Sequence, residues 1–272
     1  MIASVKLAQV QKHLSHIRVY QQKISTIVGA MLHCHSDSSE NTGLAGSLRQ
    51  HPLVVPYQTE KTGYLVLTTD KGLCGSFNTN IVQQYSSYAK KESADRLSLY
   101  VVGKKGIDAL RHAGIQAKKE YVNMYAPLSY KRSMQLTEDL INWYHGERLN
   151  RLYVLYTQSK SILKQYHQRV QLLPLDGSLF VKPEIPYWDS GFEPDSSELM
   201  HTLVVSYVQI RVFNLLQESY LSELSARLTT MDNASKNAQE LIETTTLSMN
   251  KIRQATITRE LTEIVAAGEA LR

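Results

Sequence analysis

From Asp195 to Arg272 the chain reads DSSELMHTLVVSYVQIRVFNLLQESYLSELSARLTTMDNASKNAQELIETTTLSMNKIRQATITRELTEIVAAGEALR, with no proline and one glycine, Gly268. Asp195-Ser-Ser-Glu198 has the form of a capping box, with Asp195 as N-cap and Glu198 three positions on, so a helix opens there. Nothing after it interrupts. About 75 helical residues at about 1.5 Å each span roughly 110 Å, far beyond the diameter of a globular domain. Leu221, Leu224, Leu228, Met231, Ala238, Ile242, Met249 and Ile252 fall near a 3.5-residue spacing. After Ile252 the seam slips to Ile257, Leu261 and Ile264, where a supercoil loosens. A helix this long is not stable by propensity alone and has to lie against something.

The opening of the chain offers a partner. Leu7, Val10, Leu14, Ile17, Ile24, Val28 and Met31 alternate in three- and four-residue steps, with polar Gln21 at the one missing seam position. No proline precedes Pro52, so a helix over about 3–33 is expected. Residues 1 to 36 carry Lys6, Lys12, Arg18 and Lys23 but no acid, a composition shared with mitochondrial transit peptides. The regular seam and the lack of arginine bias favour a permanent helix instead. Residues 1–33 and 198–272 thus form an expected antiparallel coiled coil, with a second domain between them.

That middle segment reads as α/β. Tyr64–Thr68, Leu97–Val102 and Leu152–Tyr156 are short apolar, β-branched and aromatic runs, and helical patterns follow at about 77–91, 105–113 and 132–146. The alternation predicts an open, mostly parallel sheet in a Rossmann-like domain over 64–193, with further strands at 168–173 and 179–182. Residues 34 to 62, rich in Ser, Gly, His and Pro, read as a loose connection.

Composition excludes several function classes. Hydrophobic residues are 43% and charged residues 20%, a globular balance, and no run approaches the 18 apolar residues of a transmembrane helix. The net charge of +5 is spread out rather than blocky, with no basic run interleaved with aromatics, so nucleic acid is not an expected partner. Two cysteines, Cys34 and Cys74, make neither a disulfide framework nor a zinc motif. Thr69–Asn78 contains two glycines where a strand yields to a helix, the place where open sheets bind phosphates. It matches neither GxGxxG nor the P-loop, because Lys71 precedes the first glycine. A tight structural turn is the expected reading, with nucleotide binding as the enzyme alternative. No histidine can be assigned from sequence to activate Cys74, and His33-x-His35 has the wrong spacing for a helical metal pair. No cofactor or metal site is expected.

At two places the residues resemble a known family. Met231–Ile242 (MDNASKNAQELI) and Asn250–Val265 (NKIRQATITRELTEIV) are similar to the C-terminal helix of the gamma subunits of F-type rotary ATP synthases. Leu67–Asn80 (LTTDKGLCGSFNTN) resembles that family's signature at the start of its α/β domain. Trp188-Asp189 and Glu193-Pro194-Asp195 fit the same template. The likeness is strong from about residue 64 onward and weak before it. Gln22-Lys23-Ile24-Ser25 fits, but Thr26, Ile27 and Val28 stand where the family has Lys, Ala and Met, and the basic belt that follows in the family is thin here.

The resemblance implies a non-catalytic central shaft. Its helical hairpin would sit inside a ring of alpha and beta subunits, with the α/β domain at its base. Rotation would couple ion flow to ATP synthesis or hydrolysis in the beta subunits. Carried over by motif, Arg253, Gln254, Thr258, Glu260 and Lys23 are expected to contact beta, and Glu193 to contact the membrane c-ring and an epsilon-type subunit. The implied location is peripheral, on the cytoplasmic face of the plasma membrane. A coiled-coil adaptor that dimerises through the long helix is the alternative without a rotary role.

Overall fold

The computed structural model describes residues 2–33, 51–92, 96–125, 128–161, 164–176, 180 and 196–270. In chain order the elements are α1 (Ile2–His33), β1 (Thr62–Leu67), α2 (Phe77–Ala89), β2 (Leu97–Val102), α3 (Lys104–His112), β3 (Lys119–Tyr121), α4 (Tyr130–Gly146), β4 (Arg151–Ser159), β5 (Gln165–Leu173) and α5 (Ser196–Ala270). Two compact units result: Met1–Leu228, and Thr229–Arg272.

The sheet of the first unit has the order β3-β2-β1-β4-β5. β1 pairs in parallel with β2 and β4, β2 pairs in parallel with β3, and β4 pairs antiparallel with β5. β1 is central and covered on both faces, which is why Tyr64-Leu-Val-Leu67 is continuously apolar instead of alternating. Tyr64, Val66, Leu99, Val101 and Leu155 pack with Ile81 and Tyr85 of α2 and Ile107 and Leu110 of α3. Leu65, Leu67, Val102, Leu152 and Val154 face the other way, into a larger core with Leu140 and Trp143 of α4, Val28 of α1 and Val208 and Leu216 of α5.

The turn from β2 into α3 shows why glycine recurs there. Gly103 has φ +101, and a Cβ at Gly106 would collide with the Thr68 side chain. The Thr68 hydroxyl donates to Val102 O at 2.7 Å and accepts from Gly106 N at 3.1 Å, so the two strand ends and the helix start close on one side chain.

The expected strands at 64–68, 97–102, 152–156 and 168–173 all exist, several of them longer at the ends. β3 was not expected. Lys119-Glu-Tyr121 has no apolar alternation and is set on the sheet edge by register alone, Val102 opposite Tyr121. The expected strand at 179–182 falls almost entirely outside the described residues, as do residues 34–50 and Asp195 of the capping box.

α1 runs antiparallel to α5. Arg18 Nη2 donates to Glu218 Oε1 at 2.8 Å, Asn214 Nδ2 donates to Gln21 Oε1 at 2.8 Å, and Leu7 and Val10 pack on Leu224. Gln21, the polar seam position, thus has an amide partner on the facing helix. The expected continuous seam on α5 is only partly buried. Leu224 is 3% exposed, whereas Met231 is 37%, Ile242 60% and Ile252 65% exposed. The reason is length: α1 has 32 residues and α5 has 75.

His51 links the connection after α1 to the start of α5. Its Nδ1 accepts from Leu53 N at 3.2 Å, so its proton sits on Nε2, which donates to His201 Nδ1 at 2.9 Å. Burial, then the neighbouring His201 and His145, lowers its pKa to about 4. The unfolded chain therefore binds a proton near 6.5 that the folded chain resists. Stability should fall by roughly 2–3 kcal/mol as pH drops from about 6.5 to about 4. Urea melts across that window check this, and His51→Asn should flatten the slope; an unchanged slope would show that other groups cause it.

Candidate functional site

Two places could carry function: the glycine loop after β1 and the exposed part of α5. The loop is built as a brace. Thr69 Oγ1 donates to Lys71 O at 2.7 Å, Asn78 Nδ2 donates to Thr69 Oγ1 at 2.8 Å, and Asn78 Oδ1 accepts from Thr69 N at 3.0 Å. Asp70 Oδ1 accepts from Lys104 N at 3.1 Å, tying the loop to α3. Leu73 (φ 64) and Gly75 (φ 59) take the left-handed conformation that turns the chain into α2.

A phosphate cradle aims backbone N–H groups at its ligand. This loop instead aims carbonyls at a cation. Arg227 of α5 donates to Gly72 O at 3.3 Å and Lys71 O at 3.4 Å, and its Nη2 pairs with Glu223 Oε1 at 2.6 Å. Cys74 and Phe77 pack on Ala226 behind it. Burial raises the Cys74 thiol above its ordinary range, which disfavours the thiolate a nucleophile needs. The geometry agrees with the structural-turn reading. Arg227 was not singled out from the sequence, although Glu223 and Arg227 stand at i and i+4 on a helix, the spacing of an ion pair.

The unit Thr229–Arg272 is one stretch of helix in which every side chain from Met231 to Met249 is exposed. Its threonines are less polar than their number suggests. Thr246, Thr258 and Thr262 donate to the carbonyls of Ile242, Gln254 and Thr258 at 2.7, 2.9 and 2.7 Å, and Thr244 donates to Glu240 O in the same way. Each hydroxyl is satisfied by its own helix. Lys236 pairs with Asp232 at 2.8 Å.

Arg253, Gln254, Thr258 and Glu260 are all exposed on this stretch. At about 100° per residue, Arg253 and Glu260 stand within about 20° of each other, and Gln254 and Thr258 within about 40°. The four together cover about 160° of the helix surface. Among the described residues no carboxylate pairs with Arg253. Lys23 is exposed on α1, in the other unit. Glu193 lies outside the described residues.

The apolar residues of the stretch occupy more than one face. Leu241, Ile242, Met249 and Ile252 are 58–67% exposed and share one side, whereas Leu247, 64% exposed, stands about 170° from their centre. Ile257, Leu261, Ile264 and Val265 are 49–68% exposed and centre about 130° further round, by the same 100° count. A single partner helix following a heptad seam cannot cover both.

A family model described as ATP synthase matches residues 1–271. The ATP synthase gamma chain of Desulfitobacterium hafniense is 32% identical over 272 residues, covering 100% of this chain and 91% of that one. That of Staphylococcus haemolyticus is 30% identical over 273 residues, again covering 100% and 91%. Among solved structures, a chain of the Euglena gracilis mitochondrial ATP synthase (OSCP, F1 and c-ring, rotational state 3) superposes with TM-score 0.59 at 20% identity, over 98% of this chain and 95% of that one. A chain of the central stalk and c-ring of the Tetrahymena thermophila mitochondrial ATP synthase gives TM-score 0.56 at 21% identity, over 82% and 99%. Related along its whole length at 30% identity and above, this chain belongs to the ATP synthase gamma chain family and is a non-catalytic subunit of that complex.

Proposed function

We propose that this chain is the central shaft of a rotary F-type ATP synthase, coupling ion-driven rotation to ATP synthesis or hydrolysis in the beta subunits. The observation that carries the reading is the exposed helix after Leu228, whose apolar residues occupy two faces about 130° apart. Exposed apolar area of this kind marks an interaction surface. Because its apolar residues point to more than one side of the helix, a ring of partners surrounding it fits better than one partner alongside. The same feature disfavours the adaptor that dimerises through a seam.

In this reading the α1–α5 hairpin lies within alternating alpha and beta subunits, the α/β domain forms the base, and Arg253, Gln254, Thr258, Glu260 and Lys23 meet beta. Glu193 meets the c-ring and an epsilon-type subunit. The assembly is peripheral on the cytoplasmic face of the plasma membrane; no helix among the described residues is long and apolar enough to cross a membrane. Coupling requires that each shaft angle favour one set of beta conformations through differential contacts. A helix in which Thr244, Thr246, Thr258 and Thr262 bond their own helix carbonyls offers few strong bonds there that would trap one angle.

Reconstitution with alpha and beta from the same source tests the proposal. One copy should enter an alpha–beta hexamer and raise multisite ATP hydrolysis. Replacing Thr244, Thr245 and Thr246 together with leucine should then slow turnover by creating sticky contacts. Lack of assembly, or no stimulation, would sink the shaft reading.

A further inference from the structure

We infer that the arginine–tyrosine face formed by β4, β5 and the end of α2 docks a carboxylate-bearing surface of another subunit of the complex. The inference rests on the shaft reading only in placing the partner within an ATP synthase. Arg169 lies on β5, the edge strand of the sheet, opposite Leu155 of β4. Its guanidinium is sandwiched between Tyr88, 4.6 Å from the ring centroid, and Tyr153, at 4.7 Å. Tyr64 backs both rings, at 6.1 Å and 14° from Tyr88 and at 5.6 Å from Tyr153. Arg151, two residues before Tyr153, donates to its hydroxyl at 3.3 Å.

Both arginines are exposed, and among the described residues no carboxylate pairs with either. Lys90 and Lys91, also exposed, follow Tyr88 by two and three positions. Glu92 is the acid whose charge is felt at Tyr64, so among the described residues named here the cations outnumber the acids.

A guanidinium in contact with two rings has given up part of its rotamer freedom before a partner arrives, which lowers the ordering cost of binding. A guanidinium can meet a carboxylate bidentately, and Arg169 is exposed. Bracing β5 against α2 needs only the contact of cation with ring faces. It gives neither Arg169 nor Arg151 a carboxylate partner among the described residues. Tyr and Arg are also the residues that dominate interface energetics. Two arginines without a continuing basic track do not suit a nucleic-acid backbone, whereas they match one or two acidic side chains.

The test uses the complete ATP synthase purified from the source organism, with the isolated chain as reference. Phenylglyoxal should modify Arg169 in the isolated chain and about tenfold or more slowly in the complex, as expected for a buried, charge-paired arginine. In a complex carrying Arg169→Lys, a carbodiimide should form an amide between the new amine and an Asp or Glu of another subunit, found by mass spectrometry. Equal phenylglyoxal reactivity in both states, in a complex that assembles and hydrolyses ATP, overturns this inference and leaves the shaft reading intact. A chain that does not enter the complex at all overturns both.

Discussion

Arg227→Ala should lower the unfolding free energy of this chain by about 3–5 kcal/mol, the range for breaking a buried ion pair from one side. Arg227 and Glu223 side chains are 18% and 6% exposed, and their 2.6 Å pair sits where α5 meets the loop after β1. Removing the guanidinium also frees the carbonyls of Lys71 and Gly72. The sign of the pH dependence follows from Glu223. Burial raises its pKa above 4.5, and Arg227 is the first influence opposing that rise. Without Arg227 the carboxyl should resist ionisation further. The folded variant then binds a proton that the unfolded chain has released, so its deficit grows as pH climbs above about 4.5. Thermal melts at pH 5 and pH 7.5 should show the larger loss at the higher pH. Adding Glu223→Gln should recover part of it. A variant equally stable with wild type at pH 7.5 would mean that the pair and the loop contacts contribute nothing net.

Arg253→Ala should reduce the ATP turnover of the reconstituted hexamer about tenfold while leaving the fold of the isolated chain unchanged. A tenfold change lies within the 1–3 kcal/mol typical of coupling between sites. Arg253 is exposed, and no described carboxylate holds it, so its loss costs the isolated helix little. In the assembly, the proposed beta carboxylate would lose a planar fork that lysine cannot reproduce. Arg259→Ala serves as the control, since Arg259 points about 120° away on the same exposed helix. Equal turnover for Arg253→Ala and wild type, or equal losses for both arginines, would remove Arg253 from the coupling contact.

Much of this protein was legible in its residues because the patterns are strong and local. The absence of proline from Asp195 to Arg272 and the heptad-like leucines announce a long helix whatever surrounds it. Tyr64-Leu-Val-Leu67 and Leu97–Val102 read as strands because both are buried on two faces, and their apolar character admits little else. The glycines at 72 and 75 read as a turn because their spacing suits no phosphate motif. Arg253, Gln254, Thr258 and Glu260 were proposed as contacts through the motif NKIRQATITRELTEIV, where local sequence and family resemblance coincide.

What the tertiary structure decided is where these pieces meet. β3 carries no apolar period, so only pairing with β2 makes it a strand. The seam on α5 continues past Leu228 by spacing, but spacing does not say that the partnering helix has 32 residues. Burial therefore stops where α1 stops, and the remaining apolar side chains stay exposed. Likewise, that Gly72 presents its carbonyl to Arg227, 155 residues away, and that Arg169 lies between Tyr88 and Tyr153, depends on long-range packing. A helix or strand is selected by interactions among near neighbours. Which surfaces it leaves open is selected by what the rest of the chain is long enough to cover.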